Sequence, residues 1–369
     1  MKIIAVEAIP VRMPFKTYVS DSWGKYTASN HCIVRVRGED GEIGLGEIAF
    51  AWYGGAHNLC REVNDYWSDQ LVGMDTTAIT EINTRLSAWC TFSKRNLLAK
   101  AGVEMAVWDL LGKEYSLPVH TLLGGKLRDS IPLTGGVCMA DIDTMLNDAQ
   151  NLVAEGYTEL KLKVGLDNAK DLAIVRRIRE AIPENIRLRA DANMSWRDRK
   201  QAKWMMDALY SFGVYIVEQP LAEDDLDGLR WLRNNTKNLV LLDETVWDTV
   251  DARRVIEAGA ADMLHVYISE AGGIDGARQI FQLTRDFGID CTIGSMPEGV
   301  IGSSASLHVA AAMPNLSPYP SDIRGHTNYA EDVTVAALPV ERGRLMVPDG
   351  PGLGVELDEE KLAQLRVDV

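Results

Sequence analysis

The stretch ELKLKVGLDNAKDLAIVRRIREAIPENIRLRADAN, residues 159–193, decides the fold. It opens on a short run in which Leu160, Leu162 and Val164 alternate with Lys161 and Lys163. A segment follows whose apolar residues Leu172, Val175, Ile178 and Ile182 form a helical stripe, with Asn168 placed to cap its start. A second apolar run covers 186–190. Strand, helix, strand is one βα unit, and the texture repeats outward from it. Apolar runs fall at 132–138, 159–164, 186–190, 214–217, 239–242, 263–268 and 291–294. They start roughly 24 to 28 residues apart, one strand plus one helix plus two loops. Seven such units favour a closed parallel barrel over an open doubly wound sheet. An eighth strand, less clearly patterned, is expected near 319–323. No GxGxxG follows a strand, which argues against a dinucleotide fold.

The chain before residue 126 reads differently. Residues 3–12 and 32–37 are strand-like, and Glu39-Asp40-Gly41 is a turn signal. From about 56 to 115 the pattern is helical, with Ala101, Met105, Trp108 and Leu111 on one apolar face. The expected division is an α+β domain over 1–125, a barrel over 126–340, and a closing segment over 341–369 that packs back on the first domain.

Of 369 residues, 53 are acidic and 38 are Lys or Arg, for a formal net charge of −15 at pH 7. That balance is the reverse of what a general nucleic-acid binder needs. No run approaches about 18 apolar residues, so no membrane span is expected. The start carries Glu7 and Arg12 inside its apolar run and does not read as a signal peptide. The five cysteines (Cys32, Cys60, Cys90, Cys138, Cys291) are scattered with no CxxC pair. Reduced thiols in a cytoplasm are the expectation.

Barrel enzymes carry their reactive groups at the C-terminal ends of strands. Lys161 and Lys163 share one strand face. Either they point into the barrel, where each ammonium must be paired, or the strand is an edge and they are solvated. Asp191, Glu218 and Asp243 end three successive runs, 27 and 25 residues apart. Any one of them alone reads as a helix cap or loop ion pair. Three converging carboxylates repel one another unless a cation joins them, and hard oxygen ligands suit Mg²⁺.

The set KLKVG, RADANMSW, VEQP, LLDET and EAGGI, in this order, resembles the enolase superfamily in the branch of muconate-lactonizing enzyme and mandelate racemase. EIGLGEIAF and AVWDLLGKEYSLPVHTLLGG are similar to that family's N-terminal capping domain, and PGLGVELDEEKL to its closing segment. The resemblance implies an α/β architecture, a modified (β/α)7β barrel under an α+β capping domain. It implies one Mg²⁺ (Mn²⁺ as a substitute) on Asp191, Glu218 and Asp243. It implies Lys163 as base with Lys161 beside it, polar support from Asn193 and Glu244, and a cytoplasmic homo-oligomer between dimer and octamer. Lys-x-Lys and Glu298 match the lactonizing subgroup. That subgroup usually has a second lysine on strand six, about five residues before the Gly-Gly pair. Here Tyr267 holds the place, two residues after His265.

The shared chemistry is removal of a proton α to a carboxylate. Lys161 should push the Lys163 pKa down by like-charge repulsion. With a phenol in place of the second amine, chemistry needing one base is favoured. The leading expectation is dehydration of a small β-hydroxy carboxylate, with epimerisation as a side reaction. A cyclic substrate such as cis-3-hydroxy-L-proline is one candidate. The alternatives are a muconate-type cycloisomerase and a racemase or epimerase of amino-acid derivatives or dipeptides. Tyr267 either acts in the reaction or fills space with its hydroxyl bonded to His265 or a loop. Tyr18, Trp23, Tyr26, Trp52 and Tyr53 read as lid aromatics or as domain core. No Asp-x-Asp pair in the loops after strands six and seven announces a site for a substrate ammonium.

Overall fold

The computed structural model describes residues 1–20, 25–50 and 55–368. Strands β1 (Ile3–Ser20), β2 (Lys25–Gly38) and β3 (Ile43–Ala49) form an antiparallel sheet in that order. Helix α1 (Asn96–Glu114) packs on β2 and β3. A Cβ on Gly46 would collide with the Gly102 carbonyl, and one on Gly44 with the Ala106 carbonyl. The glycines of the Gly44-Leu45-Gly46 motif therefore permit the close approach of sheet and helix. The sequence stripe anticipated one apolar face on α1. Instead every residue from Leu98 to Gly112 is buried, because barrel helices cover its other side.

The barrel strands are β4 (Gly135–Val137), β5 (Glu159–Lys163), β6 (Arg187–Asp191), β7 (Val214–Glu218), β8 (Leu239–Leu242), β9 (Met263–Val266) and β10 (Asp290–Ile293). They run parallel in sequential order. The run at 132–138 is split, since Ser130–Pro132 pairs with Arg344–Met346 and only Gly135–Val137 enters the barrel. The expected eighth strand is reduced to a bridge. Ser321 N donates to Pro132 O, Thr134 N to Ser321 O, and Asp322 N to Ile293 O, joining β4 to β10. Pro320 before this residue has no N–H to extend a ladder.

Helix α2 (Asn168–Ala181) starts one residue away from the expected cap. Asp167, not Asn168, accepts from the Ala169 and Lys170 N–H groups. Helices α3 (Ile274–Asp286) and α4 (Val300–Ala312) follow glycines, with no side-chain cap of their own. Both are capped from the N-terminal part. Glu104 accepts from Ile274 N at 2.7 Å and Asp275 N at 2.9 Å. Glu47 accepts from Gly299 N at 2.7 Å and Gly302 N at 2.8 Å. Near the chain end, Val367 N donates to Pro10 O of β1.

The expectation of wholly reduced cysteines is corrected for one pair. Cys32 on β2 and Cys60 form a disulfide. Their separation of 28 residues hides that the helical segment after β3 folds back across β2. Among the described residues, no helix is long and apolar enough to cross a membrane.

Candidate active site

β5 lies inside the sheet between β4 and β6, so its lysines are not solvated on an edge. The Lys161 side chain is 7% exposed and that of Lys163 30%. Register places Lys163 beside Asp191, and Asp191 beside Glu218. Lys161 Nζ donates to Glu218 Oε1 at 2.6 Å and to Asp322 Oδ2 at 3.2 Å. Lys163 Nζ donates to Asp191 Oδ2 at 2.6 Å and to Asn193 Oδ1 at 2.7 Å. Asn193 Nδ2 in turn donates to Glu244 Oε1 at 3.0 Å. Beneath them the buried Arg189 donates to Glu159 Oε1 at 2.6 Å and stands 3.6 Å from Glu218 Oε2.

Asp191, Glu218 and Asp243 each offer one oxygen, and the three atoms lie within 4.8 Å of one another. All three residues are buried. Glu218 Oε2 accepts no hydrogen bond. Burial and the Asp191 charge push the Glu218 carboxyl up to about 7. Burial and the charges of Glu244, Glu218 and Glu270 hold Asp243 well above the carboxylate range. Burial alone would raise Asp191 too, but Lys163 and Lys161 keep it below that range. A divalent cation fits here: three hard oxygens converge in a buried site, and their mutual repulsion calls for positive charge.

The expectation for Lys163 is revised. Burial lowers its pKa and Lys161 lowers it further, yet the ion pair with Asp191 outweighs both and raises it. Spacing along a strand shows the neighbouring lysine but not how close the carboxylate on the next strand comes.

Tyr267 follows β9, four strands from β5 in the sheet order, and lines the same cavity as Lys163. Its hydroxyl donates to Asp243 Oδ2 at 2.9 Å, not to His265 or a loop. His265 is fully buried below it, its Nδ1 2.6 Å from Thr292 Oγ1, and it does not line the cavity. Glu298 is also behind the wall. It accepts from Ser269 at 3.1 Å, Ser295 at 2.5 Å and Met296 N at 3.0 Å, and so shapes the 295–297 turn that lines the cavity. Tyr18 is half-exposed, and neither it nor Tyr26 lines the cavity. Trp23, Trp52 and Tyr53 lie outside the described residues.

The cavity measures about 380 Å³. Sequence reasoning missed Glu270, Asp322 and Arg324 on its wall. Arg324 Nη1 is buried without a hydrogen-bond partner, over Gly136, where any Cβ would strike the guanidinium. The Asp322-Ile323-Arg324 triplet was legible in principle, because it ends the expected eighth strand. Glu270 lies four residues past the end of β9, where strand-end rules do not reach.

Residues 144–361 match the enolase C-terminal domain-like family. Residues 2–124 match the N-terminal domain of mandelate racemase and muconate lactonizing enzyme. The chain is 31% identical to the L-Ala-D/L-Glu epimerase of Bacillus subtilis, over 96% of this chain and 97% of that protein. It is 27% identical to the N-succinyl-L-Arg/Lys racemase of Bacillus cereus, over 100% and 98%. The structure of muconate lactonizing enzyme from Pseudomonas fluorescens, complexed with muconolactone, superposes with a TM-score of 0.94 at 28% identity, covering 99% of each chain.

Proposed function

We propose a reaction from one premise: this chain belongs to the enolase superfamily, in its mandelate racemase and muconate lactonizing enzyme branch, and is an enzyme. The reading is removal of a proton α to a substrate carboxylate by Lys163, followed by loss of a β-hydroxyl. Mg²⁺ would be held by Asp191, Glu218 and Asp243, and when bound it supplies positive charge that stabilises the enediolate.

The chain's own residues account for the rest. Lys161, buried and paired with Glu218 and Asp322, holds a fixed positive charge at the mouth. Lys163 reaches the cavity and is the one lysine with a third of its side chain accessible there. With Asp191 engaged by a cation, the ion pair that raises the Lys163 pKa would be weakened, leaving burial and Lys161 to act in the lowering direction. Asn193 fixes the direction of the Lys163 amine and links it to Glu244.

The observation that carries elimination over racemisation is the Tyr267 hydroxyl. It is committed to Asp243, so at the position opposite Lys163 stands a hydrogen-bonded phenol in place of an amine. Lys163 can return its proton to a hydroxyl leaving from the same face. In a trans-3-hydroxyproline the α-hydrogen and hydroxyl share a ring face. In cis-3-hydroxy-L-proline they do not, and that substrate needs a proton donor on the Tyr267 wall or prior epimerisation. A syn cycloisomerisation of the muconate kind also needs one base and is the second reading. The division at residues 125 and 340 and a homo-oligomer belong to the same proposal; a cytoplasmic setting now rests on the family resemblance alone, since the Cys32–Cys60 pair removes the argument from reduced thiols.

The test is Mg²⁺-dependent exchange of substrate α-hydrogen in D₂O across hydroxy acids, proline analogues, muconates and dipeptides. Exchange that yields the dehydrated product (an α,β-unsaturated acid, or the imine or 2-oxo acid it becomes where the α-carbon carries nitrogen or a hydroxyl) and disappears in Lys163→Ala supports the reading. Clean conversion to the opposite stereoisomer would falsify it.

A further inference from the structure

The cavity is polar at two ends. One wall carries Lys161, Lys163 and Arg324, from β5 and the 322–324 segment. The other carries Glu244 and Glu270, from the segments after β8 and β9. Lys161 and Lys163 are already engaged by carboxylates. On the acidic wall, Glu244 Oε2 and Glu270 Oε2 are both buried and both lack a hydrogen-bond partner. Glu270 is only 6% exposed, yet lines the cavity. Trp247 borders the same wall.

From this we infer that Glu270, with Glu244, forms a subsite for a substrate ammonium, so that the substrate is a zwitterionic amino carboxylate. The inference rests on the proposed α-proton chemistry and narrows its substrate class.

Two buried carboxylates that line one cavity with an unsatisfied oxygen each are costly unless donors reach them. Burial and the charges of Glu244, Glu298 and Glu223 hold the Glu270 carboxyl well above the carboxylate range, which is the penalty an ammonium relieves. An N–H₂⁺ group carries two donors and a positive charge, both of which such carboxylates lack. The lysine wall repels the same group and favours the carboxylate end, so the dipole of the cavity sets the orientation of the substrate. The pairing comes from two different loops, 26 residues apart in sequence, and so has no Asp-x-Asp signature.

The test is calorimetric binding of two matched pairs to the full chain with Mg²⁺: L-proline against cyclopentanecarboxylate, and L-serine against 3-hydroxypropanoate. The amino member of each pair should bind about tenfold or more tightly. In Glu270→Gln that advantage should fall to about twofold, with the anionic analogues unchanged. Equal affinity within the pairs, no binding of the amino members, or discrimination intact in Glu270→Gln overturns the subsite. So does a titration showing two Mg²⁺ per chain. The wild-type pairs decide even if Glu270→Gln fails to fold. Discrimination without any α-hydrogen exchange would sink the proposed reaction and leave the subsite standing. Exchange of amine-free hydroxy acids without discrimination does the reverse.

Discussion

The Tyr267 hydroxyl donates to Asp243 Oδ2 at 2.9 Å. A side chain at the position of an expected acid or base is thus tied to a proposed metal ligand. Groups that orient ligating carboxylates tune metal affinity without touching the metal. Tyr267→Phe should therefore weaken Mg²⁺ by about tenfold while α-hydrogen exchange at saturating Mg²⁺ stays within about tenfold of wild type. Titrating activity with Mg²⁺ separates the two effects. Loss of exchange at saturating metal would give the phenol a direct part in the chemistry.

Asp243 is buried among Glu244, Glu218 and Glu270, and its carboxyl is held well above the usual range by that burial and those charges. Asp243→Asn removes one member of this repulsion. The metal-free variant should melt no lower than metal-free wild type, and its melting temperature should no longer rise with Mg²⁺. Thermal melts with Mg²⁺ and with chelator read both. A metal-free variant several degrees less stable would mean the carboxylate is chiefly structural.

Glu47 satisfies two backbone N–H groups at the start of α4, and its Oε1 lies 2.6 Å from His31 Nδ1. Its substitution leaves buried donors without an acceptor. Glu47→Ala should cost on the order of 3 kcal/mol or more in urea unfolding, and Glu104→Ala a similar amount at α3. A loss under about 1 kcal/mol in both would show that water replaces the caps.

Two buried histidines give the fold an acid limit. Burial, ahead of all other causes, depresses His308 to about 4 and His326 to about 4. His308 Nδ1 accepts from His120 N, so its ring is neutral. The unfolded chain takes up these protons below about 6.5, whereas the native chain refuses them until about 4. Their contribution is therefore complete above about pH 6.5 and is lost as pH drops toward 4, by about 1.4 kcal/mol per pH unit for each of the two. Replacing both with Gln should reduce the loss of urea stability between pH 7 and pH 5 by that amount, leaving the share of His265, which burial also depresses.

The convergence of Asp191, Glu218 and Asp243 was readable because strand ends in a parallel barrel meet by construction, and spacing alone sets which residues end a strand. The lysine strand was readable because charge alternates where a buried strand should be apolar. Other features depend on contacts that spacing does not encode. Glu270 and Arg324 sit beyond or outside regular strands. The Cys32–Cys60 pair depends on how one helix returns across the sheet. The eighth strand looked indistinct because one bridging residue does its work. Asp167 and Asn168 are both good caps by composition, and only the backbone at Asp167, extended at φ −150°, decides between them. The lysine pKa went the other way from expectation because one ion pair across strands exceeds a like-charge neighbour two residues away.

Glu104 is 170 residues from the helix start it caps at α3, and Glu47 is 252 from the one at α4. During synthesis the N-terminal part therefore emerges long before the helices that need it. The starts of α3 and α4 are complete only where they meet side chains of that part. The N-terminal part in this sense completes the last barrel helices. A circular permutation that delivered the barrel first would leave α3 and α4 to begin uncapped.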